Sequence, residues 1–163
     1  MAPRARIDTP ADPRDLAGDF AHTAAIEVRF ADTDAMGHVN NAVYLTYCEM
    51  ARIRYWTDVT GEPVAAGHEG AESLILAEAR ITYRAPVYHG ETVIVETRAN
   101  HIGRSSFTLE HRLTACAPSG DPRLVATSDS VMVRYDYETE RPAPLGPSFI
   151  AAIETFEGHS LRG

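Results

Sequence analysis

The alternation of apolar and polar residues predicts that the folded part of the chain begins with a half-buried strand. It runs from residue 24 to residue 30, and the polar, Gly-containing segment ADTDAMGHVNN follows it. The side chains that share the predicted core face are Ala24, Ile26, Val28 and Phe30.

The apolar spacing then becomes helical, from Ala42 to about Asp58. Tyr44 and Tyr47 lie in the first turns, and Asn40 and Asn41 before them are residue types that favour a helix N-cap. Because apolar side chains occupy nearly every side of this segment, it predicts a buried helix. The further apolar positions are Leu45, Cys48, Ile53 and Tyr55.

Four more strand patterns follow, separated by short turns that imply antiparallel neighbours. This order predicts an α+β fold, with an antiparallel sheet of about five strands wrapped around one central buried helix. A second copy of the chain that extends the sheet would protect its edge. The predicted strands are Leu74–Arg84, Glu91–Asn100, Ser105–Ala117 and Leu124–Tyr135, and a short helix is predicted at Ser148–Phe156.

Composition divides the chain into three parts. Residues 1–21 are rich in Pro, Asp, Arg and Ala without an apolar period, and are predicted to form a flexible N-terminal arm. Residues 22–157 form one predicted domain, and residues 158–163 a C-terminal tail. Inside the domain, the Gly-rich residues 60–72 are predicted to form a loop.

Charge, apolar stretches and cysteine spacing argue against several classes of function. The chain has 163 residues and a net charge of −8, which disfavours a nucleic-acid partner. No apolar stretch is long enough for a membrane helix, and no signal peptide is recognisable. Cys48 and Cys116 are not in a metal-binding spacing, so no metal site is expected. A cytoplasmic location is the expectation.

One segment resembles a known family. VRFADTDAMGHVNNAVYLTYCEMAR, residues 28–52, is similar to the hot-dog-fold thioesterases of the 4-hydroxybenzoyl-CoA thioesterase type, as are the later segments YRAPVYHGETV and HIGRSSF. The resemblance covers about residues 23–136. It implies a hot-dog fold and a thioester hydrolase that acts on acyl-CoA, without any cofactor other than the CoA carried by the substrate.

The same resemblance implies catalytic roles for two residues. Asp34 is the second Asp of the DxD pair, which is the catalytic carboxylate of the family, and the N–H of Asn41, seven residues later, faces the thioester oxygen. Thioester hydrolysis needs a nucleophile or base beside the carbonyl and donors for the developing oxyanion. The alternative is that Asp34 only caps the helix or stabilises a turn.

The neighbouring polar residues have two interpretations each. His38 is either a second general base or a residue that braces the loop. Asn40 either orients substrate or caps the helix. Glu49 is a reserve candidate for the carboxylate, although pairing with Arg52 three residues later favours a structural role.

Substrate contacts are expected from two regions. Tyr44, Tyr47 and loop 60–72 are predicted to line the acyl group, and Gly103, Arg104 and Ser105 of the HIGRSSF segment to meet CoA. A homodimer or homotetramer is expected, with the acyl pockets at the subunit interface.

Three other functions compete with this hypothesis. The string GHVNN is also similar to plant acyl-acyl-carrier-protein thioesterases, so the carrier stays open. A hot-dog dehydratase is disfavoured because no Gly-Asp-x-Asn-Pro-x-His string is present. The third alternative is an acyl-thioester-binding protein without catalytic activity.

Overall fold

The computed structural model describes residues 18–62 and 74–162. All five predicted long strands and both predicted helices are present, with bounds that shift by a few residues. The strands are β1 His22–Glu27, β2 Leu74–Tyr83, β3 Thr92–Ile102, β4 Ser106–Cys116, β5 Arg123–Asp136 and β6 Arg141–Pro142; the helices are α1 Val43–Thr60 and α2 Pro147–Glu157.

The strands form one antiparallel sheet in the order β1-β3-β4-β5-β2, with the two-residue β6 paired to the end of β5. Strict alternation of buried and partly exposed side chains along β4 gives the sheet one core face. This is the predicted antiparallel sheet around one helix. β6 lies in the Pro-rich segment ERPAPLGP.

Helix α1 packs against the core face of the sheet through one side only. Tyr44, Tyr47 and Cys48 are buried on that side, whereas Leu45 and Ile53 are 36% and 47% exposed. The helix is thus the predicted central helix, and in a single chain one of its sides remains exposed. One deviation concerns Phe30, predicted on the core face of β1, which lies in a 3-10 turn over Phe30–Asp32 and is 77% exposed.

Packing extends beyond both predicted ends of the domain. The Phe20 ring lies 4.5 Å from the guanidinium carbons of both Arg98 and Arg112 on the outer face of the sheet. At the other end, Leu161 is buried, and its carbonyl accepts a hydrogen bond from Ile102 N–H at 3.1 Å. Within the part of the chain that the structure describes, no helix is long and apolar enough to cross a membrane.

Candidate active site

Asp34 lies in a short loop that main-chain hydrogen bonds close. Thr33 and Val39 form an antiparallel bridge across the base of the loop. Inside it, Asp34 N–H donates to the His38 carbonyl and Gly37 N–H to the Asp34 carbonyl, both at 3.0 Å. Gly37 has φ +80°, a left-handed conformation that glycine adopts without steric cost. The loop conformation is thus defined largely by the backbone.

The carboxylate of Asp34 is half-buried and takes part in the turn. Its Oδ1 accepts the N–H of Met36 at 2.8 Å, which is the arrangement of an Asx turn. This bond is the structural role that the sequence left open. Within residues 18–62 and 74–162, no donor is bound to Oδ2, so one carboxylate oxygen stays accessible for chemistry.

Buried Asp32 ties this loop to the start of α1. Its carbonyl accepts the N–H of Asn40 at 2.9 Å, and its carboxylate accepts the Tyr47 hydroxyl at 2.9 Å and the Arg29 guanidinium at 2.6 Å. Burial alone would raise the pKa of Asp32, but the hydrogen bonds from Arg29 and Tyr47 outweigh it and hold that pKa below its usual range. Asp32 is therefore an ionised anchor.

Asn40 shapes the N-terminus of α1. Its Oδ1 accepts the N–H of Ala42 at 2.9 Å, and its carbonyl accepts the N–H of Val43 at 3.0 Å. The next amide, the N–H of exposed Asn41, donates to none of the described residues. A free N–H at the positive end of a helix dipole can bind an oxyanion.

The hydrogen bond between Asp32 and Asn40 brings the Asp34 loop and the Asn41 amide together. Asp34 lies two residues from one end of that bond, and Asn41 one residue from the other. One short segment thus carries both a carboxylate with an accessible oxygen and an amide donor, the two groups that acyl transfer from a thioester requires.

His38 lies in the same loop and is half-buried. Its Nδ1 is 3.2 Å from the Val39 carbonyl. If Nδ1 carries the proton, it donates to that carbonyl, and Nε2 is the acceptor of the ring. The contact suits loop bracing and leaves a role in proton transfer as a prediction.

Tyr44 and Tyr47, predicted to line the acyl group, are 3% and 2% exposed. The Tyr44 hydroxyl donates to the Ala85 carbonyl at 3.4 Å, and burial raises the pKa of Tyr44 to about 12. Tyr47 is engaged with Asp32. Their contact with a ligand stays a prediction, and loop 60–72, the other predicted part of the acyl pocket, lies outside the described residues from 63 onward.

Gly103, Arg104 and Ser105 form the β3–β4 turn, at the opposite end of the sheet from Asp34. The Asp34 loop adjoins the beginning of β3, because Val28 N–H donates to the Glu91 carbonyl at 3.1 Å. The eleven residues of β3 separate this point from the turn, a length of about 33 Å. A single chain therefore does not bring the two predicted parts of the site together.

Two further contacts at the Asp34 end were missed by the sequence analysis. Buried Glu91 forms a two-pronged ion pair with Arg123, at 2.8 Å for each oxygen, and its Oε2 accepts the N–H of Tyr88 at 2.9 Å. This pair braces the segment whose Val87 carbonyl accepts Val39 N–H at 2.7 Å. Tyr83, at the end of β2, hydrogen-bonds the Asn41 carbonyl. Neither contact joins residues with a recognisable sequence spacing.

The remaining candidate carboxylate, Glu49, is exposed on α1, while Arg52 points to Ser130 Oγ at 3.4 Å. No ion pair between Glu49 and Arg52 occurs among the residues described. In the same part of the chain, no group of three or more His, Cys, Asp or Glu residues could hold a metal ion.

The sequence is similar to those of known proteins. Residues 28–153 match the model of the thioesterase-like superfamily. Among curated relatives, 1,4-dihydroxy-2-naphthoyl-CoA hydrolase of Synechococcus elongatus is 29% identical over 122 residues, 72% of this chain and 84% of the relative.

The solved structures of similar fold include two thioesterases. The thioesterase from Thermus thermophilus, solved with coenzyme A and Zn, has a TM-score of 0.74 and 35% identity, covering 87% of this chain and 98% of that one. The 4-hydroxybenzoyl CoA thioesterase from Pseudomonas sp. strain CBS-3 has a TM-score of 0.70 and 19% identity, covering 80% and 97%.

These findings define the class as a hot-dog-fold thioester hydrolase. The chain belongs to the thioesterase-like superfamily. The predicted fold and enzyme class are confirmed.

Proposed function

We propose that the protein hydrolyses acyl-CoA thioesters to a free acid and CoA, with Asp34 as the catalytic carboxylate. The observation that carries this proposal is the 2.9 Å bond from Asn40 N–H to the Asp32 carbonyl, which brings the Asp34 loop and the free amide of Asn41 together. The curated relative from Synechococcus elongatus is named as a hydrolase of an aromatic acyl-CoA, which supports the substrate class.

The reaction begins with the thioester carbonyl oxygen against the N–H of Asn41. Asp34 either attacks the carbonyl carbon, giving a mixed anhydride that water then hydrolyses, or removes a proton from a water that attacks. In both routes the C–S bond breaks, the CoA thiolate leaves and takes up the proton that the attacking water releases, and negative charge develops on the carbonyl oxygen as the tetrahedral intermediate forms. The amide donor therefore lowers the barrier, and losing such a donor costs about 100- to 1000-fold in rate.

Two copies are needed to complete the proposed site. Since Gly103, Arg104 and Ser105 lie at the far end of the sheet, they contact the same substrate only when a second copy supplies them. The exposed Leu76 side chain on β2, a strand at the edge of the sheet, supports pairing with another copy. We propose a homodimer or homotetramer with acyl pockets at the interface.

The proposal includes no metal and no cofactor other than CoA as part of the substrate. It also places the protein in the cytoplasm, which the free thiols of Cys48 and Cys116 support. Turnover that is unchanged after chelation with EDTA is the expected result.

The decisive experiment measures thiol release from acyl-CoAs with short, long and aromatic acyl groups, using the wild type and Asp34→Asn. The amide of asparagine keeps an oxygen for Met36 N–H, so the turn is preserved while the charge is lost. We expect kcat to fall at least about 100-fold. Asp136→Asn is the matched control, because Asp136 Oδ1 also accepts the N–H two residues later at 2.8 Å.

Other results would redirect the proposal. Undiminished turnover by Asp34→Asn would refute the role of Asp34 and direct attention to His38 and Glu49. A folded wild type that hydrolyses acyl-acyl-carrier-protein but no acyl-CoA would change the carrier. Binding of acyl-CoA without any turnover would identify an acyl-thioester-binding protein.

A further inference from the structure

Tyr83 connects the edge strand β2 to the residue that supplies the oxyanion donor. Its hydroxyl donates to the Asn41 carbonyl at 2.8 Å. Tyr83 is the last residue of β2, and it is separated from Asn41 by 42 positions in the sequence. The contact is therefore a tertiary link across the entrance to α1.

The ring of Tyr83 is fixed by a second contact. It meets the Tyr44 ring edge-to-face, with centroids 5.1 Å apart and planes at 89°. Tyr44 in turn donates to the Ala85 carbonyl, two residues after Tyr83. Three contacts thus join the start of α1 to the end of β2, and they involve Asn41, Tyr44, Tyr83 and Ala85.

The hydroxyl of Tyr83 also has the properties of a permanent donor. Partial burial raises the pKa of Tyr83, so the hydroxyl keeps its proton at neutral pH. Tyr83 remains 41% exposed, which leaves one side of the ring open to a bound molecule.

We propose that Tyr83 is a positioning residue for catalysis, because its hydroxyl holds the Asn41 backbone in the orientation in which the Asn41 N–H meets the thioester oxygen. This inference rests on the proposed hydrolysis. Its physical basis is that an oxyanion donor contributes most when its direction is fixed before the reaction. The carbonyl and the N–H of Asn41 belong to consecutive peptide groups that are joined at its Cα. Binding the carbonyl from another strand restricts rotation about Asn41 and thereby limits the orientations of the peptide that carries the N–H.

The test compares Tyr83→Phe with Tyr135→Phe. Phenylalanine keeps the ring contact with Tyr44 and removes only the donor. Tyr135 is the control because its ring also meets a second tyrosine, Tyr137, at 5.1 Å and 79°, at the opposite end of the sheet. For Tyr83→Phe we expect kcat to fall about 3- to 10-fold with KM unchanged. Tyr135→Phe should match the wild type.

A second measurement separates failure of this inference from failure of the proposed function. Amide hydrogen exchange over residues 40–45 should be faster in Tyr83→Phe than in Tyr135→Phe, whether or not any acyl-CoA is hydrolysed. Unchanged exchange would overturn the inference. So would exchange that rises while kcat stays at the wild-type value, or a change confined to KM. An inactive wild type would refute the proposed function and leave the exchange result to decide the anchoring role.

Discussion

The Tyr47 hydroxyl donates a 2.9 Å hydrogen bond to the carboxylate of Asp32, and both side chains are 2% exposed. A residue of α1 thereby supports the segment that precedes the candidate catalytic loop. The cost of removing a donor from a buried carboxylate exceeds that of losing an exposed bond, because the charge then has fewer hydrogen bonds to compensate for its burial.

Tyr47→Phe should therefore destabilise the fold by about 1–3 kcal/mol. Urea unfolding at pH 7 measures the loss, with Tyr135→Phe as the comparison. Equal stabilities of the two variants would mean that the bond to Asp32 contributes nothing net.

The imidazole of His111 predicts how stability depends on pH. It is completely buried, Thr97 Oγ1 lies 3.0 Å from Nδ1, and Nε2 has no partner among the described residues. Burial, and next the charges of Arg52 and His22, lower the pKa of His111 to about 3. Below a pH of about 6.5 the unfolded chain binds a proton at His111 and the folded chain does not. The contribution of His111 to stability is therefore fully present above that pH and is lost as the pH falls toward 3.

Protonation of His111 in the unfolded chain should by itself lower the free energy of unfolding by about 2 kcal/mol between pH 7 and pH 5. His111→Gln should flatten the stability profile in that window, measured by urea unfolding at each pH, while His159→Gln at the exposed C-terminal end should not. A profile of His111→Gln parallel to that of the wild type would show that His111 is not the group being titrated.

The ion pair between Glu91 and Arg123 is predicted to stabilise the fold next to the candidate site. Glu91 is 2% exposed, and Arg123 neutralises it. Arg123→Gln removes the two-pronged ion pair from a buried carboxylate and should cost about 3 kcal/mol in unfolding free energy. Arg80→Gln breaks a pair that is more than half exposed on both sides and should stay within about 0.5 kcal/mol of the wild type. Similar losses for the two variants would contradict this assignment.

Shared sites predict complementation between inactive chains. Asp34→Asn and Arg104→Ala, each inactive or impaired alone, should recover activity when unfolded and refolded together. Random pairing into dimers gives one intact site in half of the dimers, or about a quarter of all sites. A mixture of Asp34→Asn with Asp34→Ala is the control and should stay inactive. Failure to recover activity would place both residues' functions within one chain.

The sequence predicted the strands, both helices and the family because each depends on local periodicity or a contiguous motif. It could not predict that α1 leaves Leu45 and Ile53 exposed, since an apolar side chain covered by a second copy has the same pattern as one in the core. It also placed Phe30 on the core face, because the alternation of β1 continues through the sequence at the point where the backbone turns into a 3-10 helix.

Some residues of the candidate site could also be identified from the sequence, and others could not. Asp34, Asn40 and Asn41 lie in one motif, so the sequence identified them together. Tyr83 and the Glu91–Arg123 pair depend on strands that meet only in the folded sheet, and no spacing relates them to Asp34. The substrate contacts of residues 103–105 stay a prediction, since the sequence indicates a turn but not the end of the sheet at which the turn lies.

The main-chain closure of the Asp34 loop has an evolutionary consequence. Ala35 and Met36 contribute backbone to the turn, and their side chains are exposed. Descendants of this sequence, or variants selected in the laboratory, can therefore exchange these two side chains and alter the surface beside the carboxylate without moving it. The segment can diversify in what it recognises while conserving the position of its reactive group.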